Sequence, residues 1–482
     1  MSLKTTYKQI FAISAPIMLG SAAQNVVALS DSVFLFHVSE ADFAAIGFVG
    51  VFYLIIAAIG YGFSRGGQIM IARRMGENAW GKIGRTFYAM TYFELGLAIL
   101  MFLFMQYGGD YFFSFFVDSP EIKAKSLEYL EYRSYGVFFS YLGVAIIALY
   151  TGVARTTFII VDTIILAVVN IVLNYGLIYG AWGLPEMGIA GAGLASTIAE
   201  VVAFVVFVVY MLLDKKARTY QLFRLPSIDF TLIKQIYFLA APIVAQAIVG
   251  LGSWFVFFSI VENLGERELA VTNLVRMVYL ILSIPTWGFA SGVNTLVSNF
   301  IGAQKRQAVF PITLKTSYIS LVTTLAISLP VLLFPSQVLF PLLGSGNVQV
   351  LGQVEAEVEQ PKVEVISLDE ASLTKGEEQT ELKQANLIKE AQPVFYVLLG
   401  ILIFFSVGGV FFNGLAATGA TTYGLIVQTI CVIVYISYIH VVVNILEGGL
   451  EWAWAAEIFY WVIVLVISWI YLRTKHWHSL EV

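Results

Sequence analysis

The sequence predicts an all-α membrane protein of twelve transmembrane helices, arranged as two parallel six-helix repeats around a central cavity. Three observations carry that expectation. The composition is 59% apolar and only 12% charged, twelve runs are long enough to cross a bilayer, and an internal repeat divides the chain. Soluble domains carry about a quarter charged residues, so a mean hydropathy of +0.82 over 482 residues points to the membrane.

A helix needs about 20 apolar residues to cross about 30 Å of hydrocarbon. Runs of that kind lie near 10–36, 43–72, 86–107, 133–153, 159–179, 188–213, 236–261, 269–301, 312–343, 394–418, 424–446 and 453–473. Several exceed the minimum, which implies tilt or kinks. Basic residues fall in alternate loops: Lys4 and Lys8, then Arg73, Arg74, Lys82 and Arg85, then Lys215, Lys216, Arg218, Arg224 and Lys234, then Lys305, Arg306 and Lys315, and finally Arg473 and Lys475. The intervening loops are acidic or neutral. The positive-inside rule therefore places both termini in the cytoplasm, and that arrangement requires an even number of spans. The single cysteine, Cys431, lies inside a span, so no internal disulfide is possible.

The phrase KQIFAISAPI at 8–17 returns as KQIYFLAAPI at 234–243, 226 positions later. At that offset Pro16 meets Pro242, Tyr53 meets Tyr279, Gly62 meets Gly288, Gly66 meets Gly292 and Gly76 meets Gly302. The match resumes at an offset of 266, where Phe138 meets Phe404 and Thr163 meets Thr429. The expected halves are 1–225 and 226–482, each with six spans and hence the same orientation. Parallel repeats of this kind pack about an axis along the membrane normal with the substrate path between them. About 40 extra residues, 346–388, form an acidic extracytoplasmic insertion between the ninth and tenth spans. VEAEVEQPKVEV suits a short hairpin, and SLTKGEEQTELKQ a solvated helix or disorder.

Ionisable groups inside the membrane are costly enough to be functional hypotheses. Asp31 stands about six residues before the outer end of the first span, about 9 Å deep at 1.5 Å per residue. Asn170 and Asn174 share one helical face, as do Thr197 and Glu200. One carboxylate, two amide oxygens and a hydroxyl at matched depth fit a monovalent metal cation, with Asp31, Asn170, Asn174 and Thr197 as ligands if that ion is Na+. A buried carboxylate also fits a proton. Interhelical hydrogen bonding is the alternative for the asparagines and the threonine, and pairing with a polar neighbour is the alternative for Glu200. Arg65 and Glu94 are read first as a structural ion pair and second as part of a gate. Arg276 is placed to snorkel. His440 is the only histidine expected well inside the membrane, as packing or as a proton carrier. Pro16, on the helix of Asp31, removes a backbone hydrogen bond and lets that helix bend.

The segments SAPIMLGSAAQNVVALSDSVFL, GYGFSRGGQIMIARRMGE, NIVLNYGLIYG and GIAGAGLAST together resemble the multidrug and toxic compound extrusion family over the whole chain except the insertion. The resemblance implies two six-helix lobes and rocker-switch export of small organic or drug-like compounds, driven by Na+ or H+. It carries the family's first-helix cation-binding aspartate to Asp31, and its polar partners to Asn170, Asn174 and Thr197. Asn174 stands where some branches have an aspartate. Gly250 and Thr421 stand where others place acidic residues of the second lobe, which implies that coupling rests on the first lobe.

The expected protein is thus a cation-coupled antiporter of a bacterial cytoplasmic membrane, acting as a monomer on a small-molecule substrate in the bilayer, without nucleic acid. No cofactor is expected beyond the coupling ion, and no enzyme motif is present: neither a phosphate-binding loop, nor a metal-ligand His/Cys cluster, nor a nucleophile elbow. The alternative is a lipid-linked sugar flippase of the same superfamily, for which Arg65 and Arg276 supply few cationic groups.

Overall fold

Helix starts are written in the local sequence. Thr6 caps α1 (Tyr7–Phe36), accepting the Gln9 N–H. Ser39 caps α2 (Glu40–Gly76) and returns its own hydroxyl to Asp42 at 2.7 Å. Side-chain capping of this kind satisfies N–H groups that have no partner within the helix. A computed structural model describes residues 5–117, 119–335, 370–474 and 476–479. After α2 come α3 (Ile83–Leu103), a π-helical turn at Phe104–Gly108 and α4 (Gly109–Phe116), followed by α5 (Pro120–Gly152), α6 (Thr157–Tyr179) and α7 (Gly188–Leu213). The second half holds α8 (Phe230–Glu262), α9 (Glu266–Gly302), α10 (Val309–Leu333), α11 (Glu370–Ala417), α12 (Thr421–His440) and α13 (Leu450–Arg473). Among the described residues, eleven helical stretches, the first in α2 and the last α13, are long and apolar enough to cross a membrane.

Boundaries depart from the hydropathy reading where polar residues continue a helix. The fourth span, expected from 133, begins at Pro120 in a helix capped by Ser119. Its charged first turns hold ion pairs, Lys125 with Asp42 at 3.4 Å and with Glu128 at 3.3 Å. The third span runs on through the π turn to Phe116, beyond the expected 107. The insertion is helical from Glu370, in one 48-residue helix with the tenth span. Its candidate hairpin at 354–365 and the end of the ninth span at 336–343 lie outside the described residues.

In the first half α5 packs against α2, α3 and α7, while α6 packs against α1 and α7. In the second, α11 packs against α9, α10 and α13, while α12 packs against α8 and α13. Between the halves α2 meets α8 and α9, and α1 meets α9. These contacts gather toward the end rich in arginine. A Cβ on Gly76 would lie 2.0 Å from the Asn299 carbonyl oxygen, and one on Gly302 would lie 2.1 Å from that of Arg73. Gly66 seats against Ala240 and Gly292 against Ser14, Gly62 against Val244 and Gly288 against Met18. The apolar starts of α1 and α8 are exchanged: Ile10 and Ile13 join the core of Phe289, Phe300 and Val410, while Ile236 and Leu239 join that of Ile69, Phe87 and Leu149. Polar contacts reinforce the closure, with Gln68 Nε2 donating to Thr295 Oγ1 at 3.0 Å and Arg73 Nη2 to the Thr418 carbonyl at 2.6 Å.

Just beyond α7, Asp214 Oδ2 accepts from Arg155 Nη1 and, at 3.3 Å, from the Tyr150 hydroxyl, while Oδ1 accepts the Lys216 N–H at 3.0 Å. Burial raises the Asp214 carboxyl, but the Arg155 hydrogen bond, the Lys216 N–H and the Arg155 charge outweigh it and hold the carboxyl below its ordinary range.

Two measurements follow from these contacts. Gly302→Ala should lower the thermal midpoint of the purified protein, corresponding to about 1–3 kcal/mol from backbone overlap, while Gly47→Ala, in open space, should stay within about 0.5 kcal/mol. Equal midpoints would refute the close approach. For Asp214, a depressed folded pKa gives stability that is fully present above the unfolded value and lost as pH falls through the folded one. Asp214→Asn should therefore be less stable than the parent at neutral pH, with the gap closing only below about pH 4. A gap that does not change down to pH 2 would contradict that role.

Candidate functional site

Asp31 sits five residues before the end of α1 and is 7% exposed. Asn174 Nδ2 donates to Asp31 Oδ1 at 2.5 Å, and Ser196 Oγ donates to Asp31 Oδ2 at 3.2 Å. Asn170 closes the ring, its Nδ2 donating to Ser196 Oγ at 3.0 Å and its Oδ1 accepting from Asn174 Nδ2 at 3.2 Å. Both asparagines are fully buried. One buried acceptor is left over: among the described residues, Asn174 Oδ1 has no hydrogen-bond partner.

Small residues bring the three helices together. α6 stops at Gly180, whose φ of +67° suits glycine, and the loop returns the Met187 N–H to the Leu177 carbonyl at 2.8 Å. Gly191 of α7 then lies so close to α6 that a Cβ would stand 2.6 Å from the Leu177 oxygen. Gly193 is equally close to the Tyr129 oxygen of α5. Such backbone approach is what glycine permits between membrane helices, and it carries Ser196 inward to Asp31.

Glu200, expected beside Asp31, is engaged elsewhere. Arg133 of α5 forks onto it, Nη1 donating to Oε2 at 2.7 Å and Nη2 to Oε1 at 2.6 Å. The Arg133 guanidinium also lies 3.7 Å from the centre of the Tyr53 ring. This two-pronged contact fixes both partners and cancels both charges. Arg133 thus does not neutralise Asp31, and the region of two acids and one base keeps one negative charge. Hydrogen bonds to a charged group contribute about 1.5–3 kcal/mol each, while desolvating a carboxylate costs several kcal/mol. Two such bonds to Asp31 fall in the same range, so the buried charge is tolerable there.

Other expected site residues are dispersed. Thr197, one position from Ser196 and hence turned by about 100° on the helix, donates to the Tyr132 carbonyl at 2.9 Å rather than facing Asp31. Arg65 and Glu94 do not form the expected ion pair: Arg65 Nη1 donates across the halves to Asn413 Oδ1 at 3.0 Å, and Glu94 Oε1 accepts from Ser64 at 2.8 Å. Ser64 and Arg65, which make these two contacts, are neighbours on α2 and so turned about 100° from each other. His440 ends α12, within the apolar stretch Thr421–Ile445, is exposed, and meets Asn444 at 2.8 Å. Arg276 lies 5.3 Å from the centre of the Phe258 ring. Pro16 is buried within α1, and it cannot donate to the Ala12 carbonyl one turn back. That carbonyl accepts instead from Thr156 Oγ1 at 3.4 Å.

Hydropathy missed Ser196 and Arg133. Arg133 fell at the expected edge of a span, although Ser126, Leu130, Arg133, Val137 and Tyr141 recur at helical spacing and are all buried. Ser196 was masked by its neighbour Thr197, since only tertiary packing sets the rotation of a uniformly apolar helix.

Long apolar helices in bundles, with a buried carboxylate that makes no ion pair among the described residues, define a multi-pass membrane protein. A family model described as MatE matches residues 16–176 and 242–354. The chain is 25% identical over 338 residues to the probable multidrug resistance protein NorM of Synechocystis sp., covering 69% of this chain and 72% of that one. It is 26% identical over 339 residues to the probable NorM of Photorhabdus laumondii subsp. laumondii, covering 70% and 71%. Its fold is similar to a solved structure titled as the outward-facing conformation of a multidrug resistance MATE family transporter, with a TM-score of 0.80, 18% identity, and coverage of 97% of this chain and 95% of that one. The chain belongs to the MatE family and is a membrane transporter, not an enzyme.

Removing one member of a buried ion pair leaves an uncompensated charge, which costs about 3–5 kcal/mol. Arg133→Gln and Glu200→Gln should each lower the thermal midpoint strongly, and the double variant should recover most of the loss. Additive losses in the double variant would argue against a direct pair.

Proposed function

We propose that this protein is a cation-coupled antiporter exporting small organic or drug-like compounds, with Asp31 binding the coupling ion, Na+ or H+. The observation that carries the reading is the Asp31 ring itself. Among the described residues, a buried carboxylate has two neutral donors and no basic partner, and the Asn174 oxygen beside it has no donor. A bound Na+ would take Asp31 and an amide oxygen of Asn174 or Asn170 as ligands, and a proton would settle on the carboxylate. Either neutralises the one excess charge. The curated relatives named as multidrug resistance proteins support the substrate class.

In this proposal twelve helices form two parallel repeats, 1–225 and 226–482, which rock against each other in a bacterial cytoplasmic membrane with both termini inside. Support comes from the reciprocity of the interface. Residues that touch across it at 66 and 240 have counterparts 226 positions away at 292 and 14, which also touch. The same holds for 62 with 244 against 288 with 18, and for 76 with 299 against 302 with 73. The contacts close the arginine-rich end, so the described arrangement is read as open toward the outside, with Asp31 near the open end. Pro16 gives α1 a weakened turn between the closed end and Asp31, where bending would link ion occupancy to the lobes. A lipid-linked sugar flippase would need several cationic groups turned toward a phosphate, whereas Arg133 is held by Glu200 and Arg65 by Asn413.

The test is efflux of a fluorescent organic cation from proteoliposomes under separate Na+ and H+ gradients. Asp31→Asn should reduce gradient-driven transport by about tenfold or more while the protein remains folded. Equal rates in parent and variant under both gradients would remove the proposal.

A further inference from the structure

The second half has no acid at the position matching Asp31. That place, 226 residues on, is Phe257, fully buried and packed against Tyr435 and Trp454. A carboxylate enters from another helix instead. Glu457 is the eighth residue of α13, where Ser196 is the ninth of α7, and it is 6% exposed. Its Oε2 accepts from Trp461 Nε1 at 3.1 Å. Among the described residues it makes no ion pair. The titratable groups around it are Tyr279 of α9, Tyr435 of α12 and Tyr460 of its own helix, with Cys431 of α12 beyond, against Tyr460. In its apolar part α11 carries only Tyr396, which is exposed, and α10 carries only Tyr318, also exposed, and Lys315, which donates to the Thr5 carbonyl. Two buried hydroxyls lie in this neighbourhood: that of Tyr435 faces the Glu457 carboxylate, and that of Ser283, one turn along α9, faces Tyr279; among the described residues neither makes any other hydrogen bond.

These groups suit a proton better than a metal ion. An ionised Glu457 would be an uncompensated charge among aromatic rings, which burial strongly disfavours. The indole N–H points at one carboxylate oxygen, and the phenols keep their own protons, so a metal cation would meet few free oxygen ligands. A protonated carboxyl has one O–H to give, and the Tyr435 oxygen is an unfilled acceptor. We propose that Glu457, with Tyr435 as acceptor and Trp461 as donor, is a proton-binding site of the second half, separate from Asp31. The proton arrives from water, forms an O–H bond on the carboxylate, and returns to water on release; nothing else is consumed. The assignment stands whether or not Asp31 binds the coupling ion.

Infrared difference spectroscopy of the full-length protein in liposomes, between acid and alkaline buffer, reads this directly. Glu457→Gln should remove one component of the protonated-carboxyl C=O band, distinct from the component removed by Asp31→Asn, and should take up one proton fewer per protein. Tyr435→Phe should keep the component but move it to higher wavenumber, because the carboxyl loses a hydrogen bond. A Glu457→Gln spectrum superimposable on the parent would overturn the site, as would a Tyr435→Phe band at the parent position. If Glu457→Gln does not fold, Tyr435→Phe decides alone. Failure of Asp31→Asn to change its own component would count against the coupling role of Asp31 and leave the Glu457 result standing.

Discussion

A carboxylate in hydrocarbon must be compensated, and much of the first half is arranged around that need. Asp31 receives an amide N–H and a hydroxyl, but no cation. For those donors to reach it, α6 and α7 must approach to the distance that Gly191 allows, and α1 must lie against α6. The nearby Arg133 would neutralise the acid if it were loose. Glu200 prevents this by taking both guanidinium prongs. The result is a carboxylate that is hydrogen-bonded but not neutralised, which is the condition the proposed reversible cation site requires: strong compensation by a fixed base would lock it.

The joint between the halves follows a different logic. Its contacts are mostly backbone against glycine and apolar side chains exchanged between the two cores, with few hydrogen bonds. Apolar contacts without directional bonds can be made and broken with less commitment than a buried polar network. The polar contacts that do cross, such as Arg65 to Asn413 and Arg73 to the Thr418 carbonyl, lie on the side where α2 and α9 close together. Asp31 therefore sits on a helix whose start is anchored in the opposite half through Ile10 and Ile13, with Pro16 between anchor and acid. In the proposed cycle that connection gives an ion at Asp31 a mechanical route to the interface.

The two halves share a backbone plan but not a polar plan. Phe257 stands 226 positions from Asp31 and packs against the rings of Trp254 and Trp454, with Tyr279 stacked on Trp254. The buried acid of the second half comes from its last helix. In the proposed duplication, packing would be kept because glycine contacts tolerate few alternatives, whereas polar residues can move between helices that face the same interior.

Much was legible from the chain alone. Apolar runs and alternating basic loops mark the helices, because hydrocarbon leaves a backbone no other way to satisfy its polar groups. The offset of 226 pairs Gly66 with Gly292 and Pro16 with Pro242, and Asp31, Asn170 and Asn174 stand out by charge, polarity and helical spacing. What spacing could not settle was rotation and partnership. On helices as uniformly apolar as α7, nothing local tells whether Ser196 or Thr197 faces Asp31, and no one-dimensional signal joins Arg133 to Glu200 or separates Arg65 from Glu94. Those choices depend on which glycines let which backbones approach, a property of the packed bundle rather than of any single segment.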